Sequence, residues 1–429
     1  MARVLFLTQV LPYPLDAGPK VRAYHMLRYL ASRHDVTLVS FVRADDPPTA
    51  IEHLRGICRA VHGVSMRRSA WRNLRAVARG LLTGLPIVVA RDEIPEMAAV
   101  IQRLAASERF DVVHADQLSM AAWGRWAVRV GEKSGFHPRS LLDEHNAIYM
   151  LTERMAAEAG GARRWVIRRE AAAFRRYEAA MVRAFDALLT VTEEDRAHLL
   201  ALFGERERPA LASKLTVVPI CVDPEASRQV ARRRVDKAAP LSTRLPDPLS
   251  PPLLLHLGTM FWPPNVNGVL WFAHNVLPII HRDVPTVRFV IAGKNPPAEI
   301  QALAADPRVE VTGYVPDPLP YLEAADVFVV PLHAGGGMRV KILDAWLWGL
   351  PVVSTTLGAE GIALRDGENI LLADDPPAFA AACVRLLTDP ALNLRLGVAG
   401  RRWVEARYGW QAVYRRVDEV YARLLQTGG

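Results

Sequence analysis

The chain reads as an α/β protein of two open domains, each a doubly wound parallel sheet. Three observations predict this. Short continuous apolar runs recur along the chain, helix-period stretches separate them, and the alternation breaks once near the middle and then restarts.

The first strand is Val4–Thr8, stopped by Pro12 and Pro14. Val21, Tyr24, Leu27 and Leu30 then fall on one face of a helix. Val36–Val42, Asp111–His114, Ser140–Asp143, Ala187–Val191 and Leu215–Pro219 continue the strand series. Residues 224–252 carry Arg232, Arg233, Arg234, Pro240, Pro246, Pro248, Pro251 and Pro252 without periodicity, which predicts a linker. After it come Leu253–Leu257, Val287–Ala292, Val309–Thr312, Val327–Val330, Pro351–Ser354 and Ile370–Leu372. The expected organisation is a first domain over 1–223, a linker over 224–252 and a second domain over 253–407. Sheets of this kind bind ligands at loops leaving the carboxyl ends of their strands. Two of them predict a cleft lined by such loops from both sides.

At 429 residues, with 51% apolar and 23% charged, the chain has bulk for two cores. Its apolar runs are far shorter than the roughly 18 residues of a membrane span. The amino-terminal run breaks at Thr8 and Gln9 without a small-residue cleavage site, so it predicts a strand and a cytoplasmic protein. Cys58, Cys221 and Cys383 lie too far apart for a zinc motif and predict buried thiols. Residues 1–240 hold 37 Lys and Arg against 27 Asp and Glu, whereas residues 241–429 hold 16 against 18. An anionic surface or ligand facing the first half would explain the imbalance. A coding bias towards Arg, 47 against 6 Lys, explains it equally.

The sharpest local signal runs from Pro331 to Pro351. A strand end is followed by Gly335, Gly336 and Gly337, then Arg339 and Lys341 at the start of an apolar helix. Glycines let backbone amides turn towards an anion, and a helix start adds partial positive charge. Cations in a first turn are unfavourable unless an anion joins them. A diphosphate meets that condition; solvent-facing cations on a tight turn are the plainer alternative. The spacing fits neither a P-loop nor a dinucleotide fingerprint. Asp344 either accepts hydrogen bonds from ribose hydroxyls or pairs with Lys341 at i,i+3.

Gly18, between the first strand and Pro19, allows backbone to approach a bound group. His145, in Asp143-Glu-His-Asn146, follows a strand end and either orients a sugar or is structural. Met66–Leu85 places Trp71, Leu74, Val77, Ala78 and Leu81 on one stripe, with Arg67, Arg68, Arg72, Arg75 and Arg79 largely off it. Such a pattern suits a basic helix lying on anionic lipid, or an ordinary solvated helix. The arginines of 163–176 read as surface charge bridged by Glu170 and Glu178. No D-x-D, G-x-S-x-G or H-E-x-x-H occurs, and no RNA-binding signature. Neither an acidic metal clamp nor a nucleic-acid partner is expected.

Taken in order, several segments resemble retaining glycosyltransferases of family 4. They are Pro12–Arg22, Glu144-His-Asn146, Phe185–Asp195, Val217–Asp223, Leu257–Asn265, Thr312–Asp317, Ala325–Leu332, Gly349–Ser354 and Gly358–Gly361. The resemblance covers nearly the whole length. It implies the GT-B fold of two facing Rossmann-like domains, with a final helix, Trp410–Leu425 within 408–429, crossing back onto the first. It implies that Gly313, Tyr314 and Val315 hold the base and that Asp344 holds the ribose. Gly18 with the amides of Gly335, Gly336 and Gly337 would meet the diphosphate, and His145 the transferred sugar. Two departures stand out. Gly336 occupies the place of the first glutamate in the family's E-x7-E motif, and Trp262-Pro-Pro-Asn265 replaces an Arg/Lys pair. Arg339 and Lys341 are then the catalytic cations.

The expected activity is retaining, metal-independent transfer of a hexosyl group from a nucleotide-diphosphate sugar to a glycan or lipid-linked acceptor, in polysaccharide or glycolipid synthesis. The sugar nucleotide is a co-substrate, and no cofactor is expected. An anionic membrane, on the cytoplasmic face of the inner membrane, is a further expected partner. A sugar-nucleotide epimerase and a non-catalytic binding protein of the same fold are the alternatives.

Overall fold

Runs such as Val4–Leu7 and Val327–Val330 are apolar at every position because helices cover both faces of the sheets they enter. The computed structural model describes all residues except 16–17, 67–68, 225–250, 336 and 427–429. It divides into two units, Met1–Pro219 with Tyr414–Gly429, and Ile220–Val413. The expected linker, 224–252, lies almost wholly outside the described residues, as do Arg67, Arg68 and Gly336.

The first unit holds a seven-stranded parallel sheet: β1 (Arg3–Thr8), β2 (Asp35–Val42), β3 (Ala60–Ser65), β4 (Val112–Asp116), β5 (Arg139–Glu144), β6 (Ala187–Thr190) and β7 (Leu215–Val217). Their spatial order is β3-β2-β1-β4-β5-β6-β7, so the winding reverses between β1 and β4. β3 was not expected from the sequence. Its Ala-Val-His-Gly-Val-Ser run alternates rather than staying apolar, as suits an edge strand with one wet face. The Trp410–Gln426 helix belongs largely to this unit: Tyr29 donates to Asp418 (2.6 Å), and the Tyr421 hydroxyl lies 2.8 Å from His114 Nδ1.

The second unit holds β8 (Leu253–Leu257), β9 (Arg288–Ala292), β10 (Val309–Gly313), β11 (Val327–Val330), β12 (Val352–Ser354) and β13 (Leu371–Leu372), all parallel. The order β10-β9-β8-β11-β12-β13 again reverses at the first strand. Trp346 is completely buried among Phe328, Ile342 and Leu343. The Pro263–Trp271 helix lies so close to the end of β11 that a Cβ on Gly268 would sit 2.4 Å from the Pro331 carbonyl oxygen. Glycine there sets where Asn265, one turn earlier, can reach. Cys58, Cys221 and Cys383 are buried free thiols.

Candidate active site

In the second unit, the loops leaving β10 and β11 carry the expected ligand groups. Gly335 and Gly337 have φ of 108° and 79°, a left-handed backbone that glycine adopts without strain. They precede the Val340–Leu347 helix, whose N-cap is Arg339 without any side-chain cap. No side chain caps this helix start, although the Val340 amide already donates to the Met338 carbonyl (3.1 Å) and the Ile342 amide to the Arg339 carbonyl (2.9 Å); the partial positive charge of the helix start remains. Gly313 (φ 70°) ends β10 with open space where a Cβ would stand, and Tyr314 is 63% exposed with Lys294 5.9 Å from its ring centre.

Lys341 is half-buried, and its ammonium donates to Asn265 Oδ1 (2.9 Å) and faces His256 Nε2 at 3.5 Å. It does not pair with Asp344, one of the two expectations for that residue; desolvation alone pushes the Asp344 carboxyl up to about 6. Burial, and then the neighbouring Arg339 charge, lower Lys341 to about 7. His256 is fully buried, held well below its ordinary range by burial and by Lys341.

In the first unit a second cluster gathers at the carboxyl ends of β4 and β5. Arg22, on the Gly18–Ala31 helix, donates Nε to both oxygens of Asp143 (3.1 Å each), Nη2 to Oδ1 (2.7 Å) and Nη1 to the Val218 carbonyl (2.7 Å). Burial opposes ionisation of Asp143, but the guanidinium outweighs it and holds the carboxyl below its usual range. His145 Nε2 donates to Asp116 Oδ1 (2.9 Å). Burial pushes Asp116 up while His145 pulls it down. Asp116, Asp143 and His145 could place ligand atoms within 4.8 Å of one another. The Arg22 guanidinium already occupies Asp143, so a metal ion would have to displace a buried fork of hydrogen bonds. Gly18 opens the helix carrying Arg22 and is exposed, with no atom near an added Cβ.

The backbone after His145 is held by acids. Asp195 Oδ1 accepts from the Ala147 amide (2.9 Å), and Glu178 Oε1 from the Ile148 amide (2.6 Å). Glu178 thus caps the Ile148–Glu158 helix; it is not the surface partner of arginines expected from sequence. Glu144 faces Glu178, and no donor among the described residues reaches either Glu144 oxygen. Burial pushes both carboxyls up, Glu178 to about 7 and Glu144 well above its usual range. One shared proton between them satisfies that geometry.

Asp116, Glu178, Asp195, His256 and Asn265 were missed as site residues. His256 had a signal, being the one polar residue inside the Leu-Leu-Leu-His-Leu strand. The others act across long sequence separations that no local pattern encodes.

Comparison with known proteins gives the class. Residues 17–221 match the glycosyl transferase 4-like domain, and residues 251–389 match glycosyl transferases group 1. The chain is built of these two glycosyltransferase domains, in the GT-B fold. The D-inositol 3-phosphate glycosyltransferase of Acidothermus cellulolyticus is 29% identical over 440 residues, covering 96% of this chain and 86% of that protein. The lipopolysaccharide core biosynthesis glycosyltransferase LpsE of Rhizobium meliloti is 33% identical over 127 residues, covering 29% of this chain. Against LpsE and one further curated relative, the chain matches only 36% and 35% of the relative's length. Anabaena HepE, solved in complex with UDP, shares the fold at a TM-score of 0.66, with 13% identity over 98% of this chain and all of that one.

Proposed function

We propose that this protein transfers a hexosyl group from a nucleoside-diphosphate sugar to a hydroxyl of a glycan or lipid-linked acceptor, in polysaccharide or glycolipid synthesis. The anomeric configuration is retained, and no metal ion takes part. The observation that carries this is Lys341: a half-buried ammonium at a helix start, beside Arg339, whose hydrogen-bond partners are neutral. Such a cation calls for an anionic ligand, and a diphosphate leaving group is one. Gly335, Gly336 and Gly337 supply amides to it, Gly313, Tyr314 and Val315 take the base, and Asp344 the ribose. In the first unit Gly18 approaches the diphosphate and His145 the transferred sugar.

In this reading the anomeric C–O bond breaks with both electrons leaving on the diphosphate, stabilised by Arg339 and Lys341. The acceptor oxygen attacks the face just vacated, and its proton passes to the departing phosphate oxygen. No carboxylate is assigned as nucleophile, so no covalent glycosyl-enzyme forms.

The Ala70–Thr83 helix supports a membrane-borne acceptor. Its Ala76 and Gly80 face inward, while Trp71 (75%), Leu74 (59%), Leu81 (56%) and Leu82 (87%) are exposed. No helix among the described residues is long and apolar enough to cross a membrane. An exposed apolar stripe beside Arg75 suits attachment to the surface of an anionic bilayer.

Incubation with UDP-, GDP- and ADP-sugars in chelator, with and without a lipid and oligosaccharide extract, tests the activity. Acceptor-dependent release of nucleoside diphosphate is expected. Conversion of one sugar nucleotide to another without acceptor would instead indicate an epimerase.

A further inference from the structure

Lys341 reaches its position through two acceptors whose orientation is set from behind. The Asn265 amide nitrogen donates to the Thr259 carbonyl (2.9 Å), which turns its oxygen towards Lys341. His256 Nδ1 lies 2.9 Å from the Val329 carbonyl. A carbonyl can only accept, so Nδ1 carries the proton and Nε2 presents a lone pair to the ammonium. Gly258 leaves the room this requires, since a Cβ there would stand 2.8 Å from Lys341 Nζ and 2.9 Å from Asn265 Nδ2. Among the described residues no carboxylate pairs with Lys341, and the charge pressing on it is the like charge of Arg339.

From this geometry we infer that Asn265 and His256 are positioning residues that aim the Lys341 ammonium through neutral acceptors alone, leaving the donor diphosphate to be its only counter-ion. The inference rests on the diphosphate reading above and adds how the cation is prepared. A carboxylate at either place would neutralise Lys341 before the ligand arrived. Neutral acceptors keep the full charge difference for the bound state. They also couple binding to protonation: with Lys341 at about 7 in the free protein, most molecules lack that proton at pH 8, and the arriving diphosphate draws it on. Burial first, and then the Lys341 charge, hold His256 well below its ordinary range, so its Nε2 stays an acceptor.

Calorimetric titration at pH 8, in two buffers of different ionisation enthalpy, measures the protons taken up. The probes are UDP, GDP and ADP. The wild type should take up close to one proton with whichever binds, and Lys341→Met should lose both that uptake and at least tenfold in affinity. Asn265→Asp, nearly identical in shape, should keep Lys341 charged, reduce uptake towards zero and weaken binding about tenfold. Asn265→Leu should weaken binding while keeping the uptake, which separates loss of aim from loss of charge balance and serves should the aspartate variant not fold. If no nucleoside diphosphate binds, or Lys341→Met binds as the wild type does, the diphosphate reading fails. If Lys341→Met behaves as stated but Asn265→Asp and Asn265→Leu both bind with wild-type affinity and uptake, that reading stands and the positioning role is wrong.

Discussion

Arg22 and Asp143 are removed from water together, with side chains 3% and 0% exposed. Such a pair is costly to break from one side, because the remaining charge has neither water nor partner. Arg22→Met is therefore expected to destabilise the fold by about 3–5 kcal/mol, and Arg22→Met with Asp143→Leu to recover much of the loss. Denaturant melts of the two variants check this; equal stability of Arg22→Met and wild type would contradict it. The same residue scale shows what a sequence reader can see. His145, Arg339 and Lys341 stand out because each follows a strand end or opens a helix. The partners that give them chemical meaning do not stand out. Asp116 is 29 residues from His145, and Asn265 is 76 from Lys341.

The segment joining β5 to the Ile148–Glu158 helix depends on acids that keep their protons. A carboxyl whose folded pKa lies above its unfolded value binds a proton the unfolded chain has already lost. Between roughly pH 4.5 and 7 the native state then holds more protons, and stability falls as pH rises. Glu144→Gln replaces the proton-sharing carboxyl with a permanent donor towards Glu178. It should flatten the decline in melting temperature from pH 5 to 8 and melt above the wild type at pH 8. A wild-type melting temperature that rises across this range, or a variant that melts lower at pH 8, would contradict the shared proton. Most strands were legible to within a residue or two, because burial on both faces demands unbroken apolar runs. β3 was not, since an edge strand needs apolar residues on one face only.

Across the whole chain the excess positive charge belongs to the first half, while the anion site proposed for the donor belongs to the second. The Ala70–Thr83 helix connects that imbalance to a surface. Not all its arginines are available as the sequence suggested, since Arg79 bridges Glu93 and Arg72 lies 3.9 Å from Glu96. Arg75 and the exposed Trp71 and Leu74 remain, each basic side chain at an anionic surface being worth about 1 kcal/mol. The protein should sediment with vesicles containing anionic lipid at low salt and be released at high salt. Trp71→Ser with Leu74→Ser and Arg75→Gln should abolish sedimentation. Unchanged binding by that variant would show that this helix is not the membrane contact and make a soluble acceptor the better reading.

In the proposed function, Arg339, Lys341 and backbone amides hold a nucleoside diphosphate without metal. The most direct test is the affinity of the wild type and of Arg339→Ala for UDP, GDP and ADP in excess chelator. At least one is expected to bind in chelator, and Arg339→Ala to lose about 1.5–3 kcal/mol of that binding, the contribution of charge-assisted hydrogen bonds. Binding that appears only when magnesium or manganese is restored, or equal affinity in wild type and variant, would contradict it.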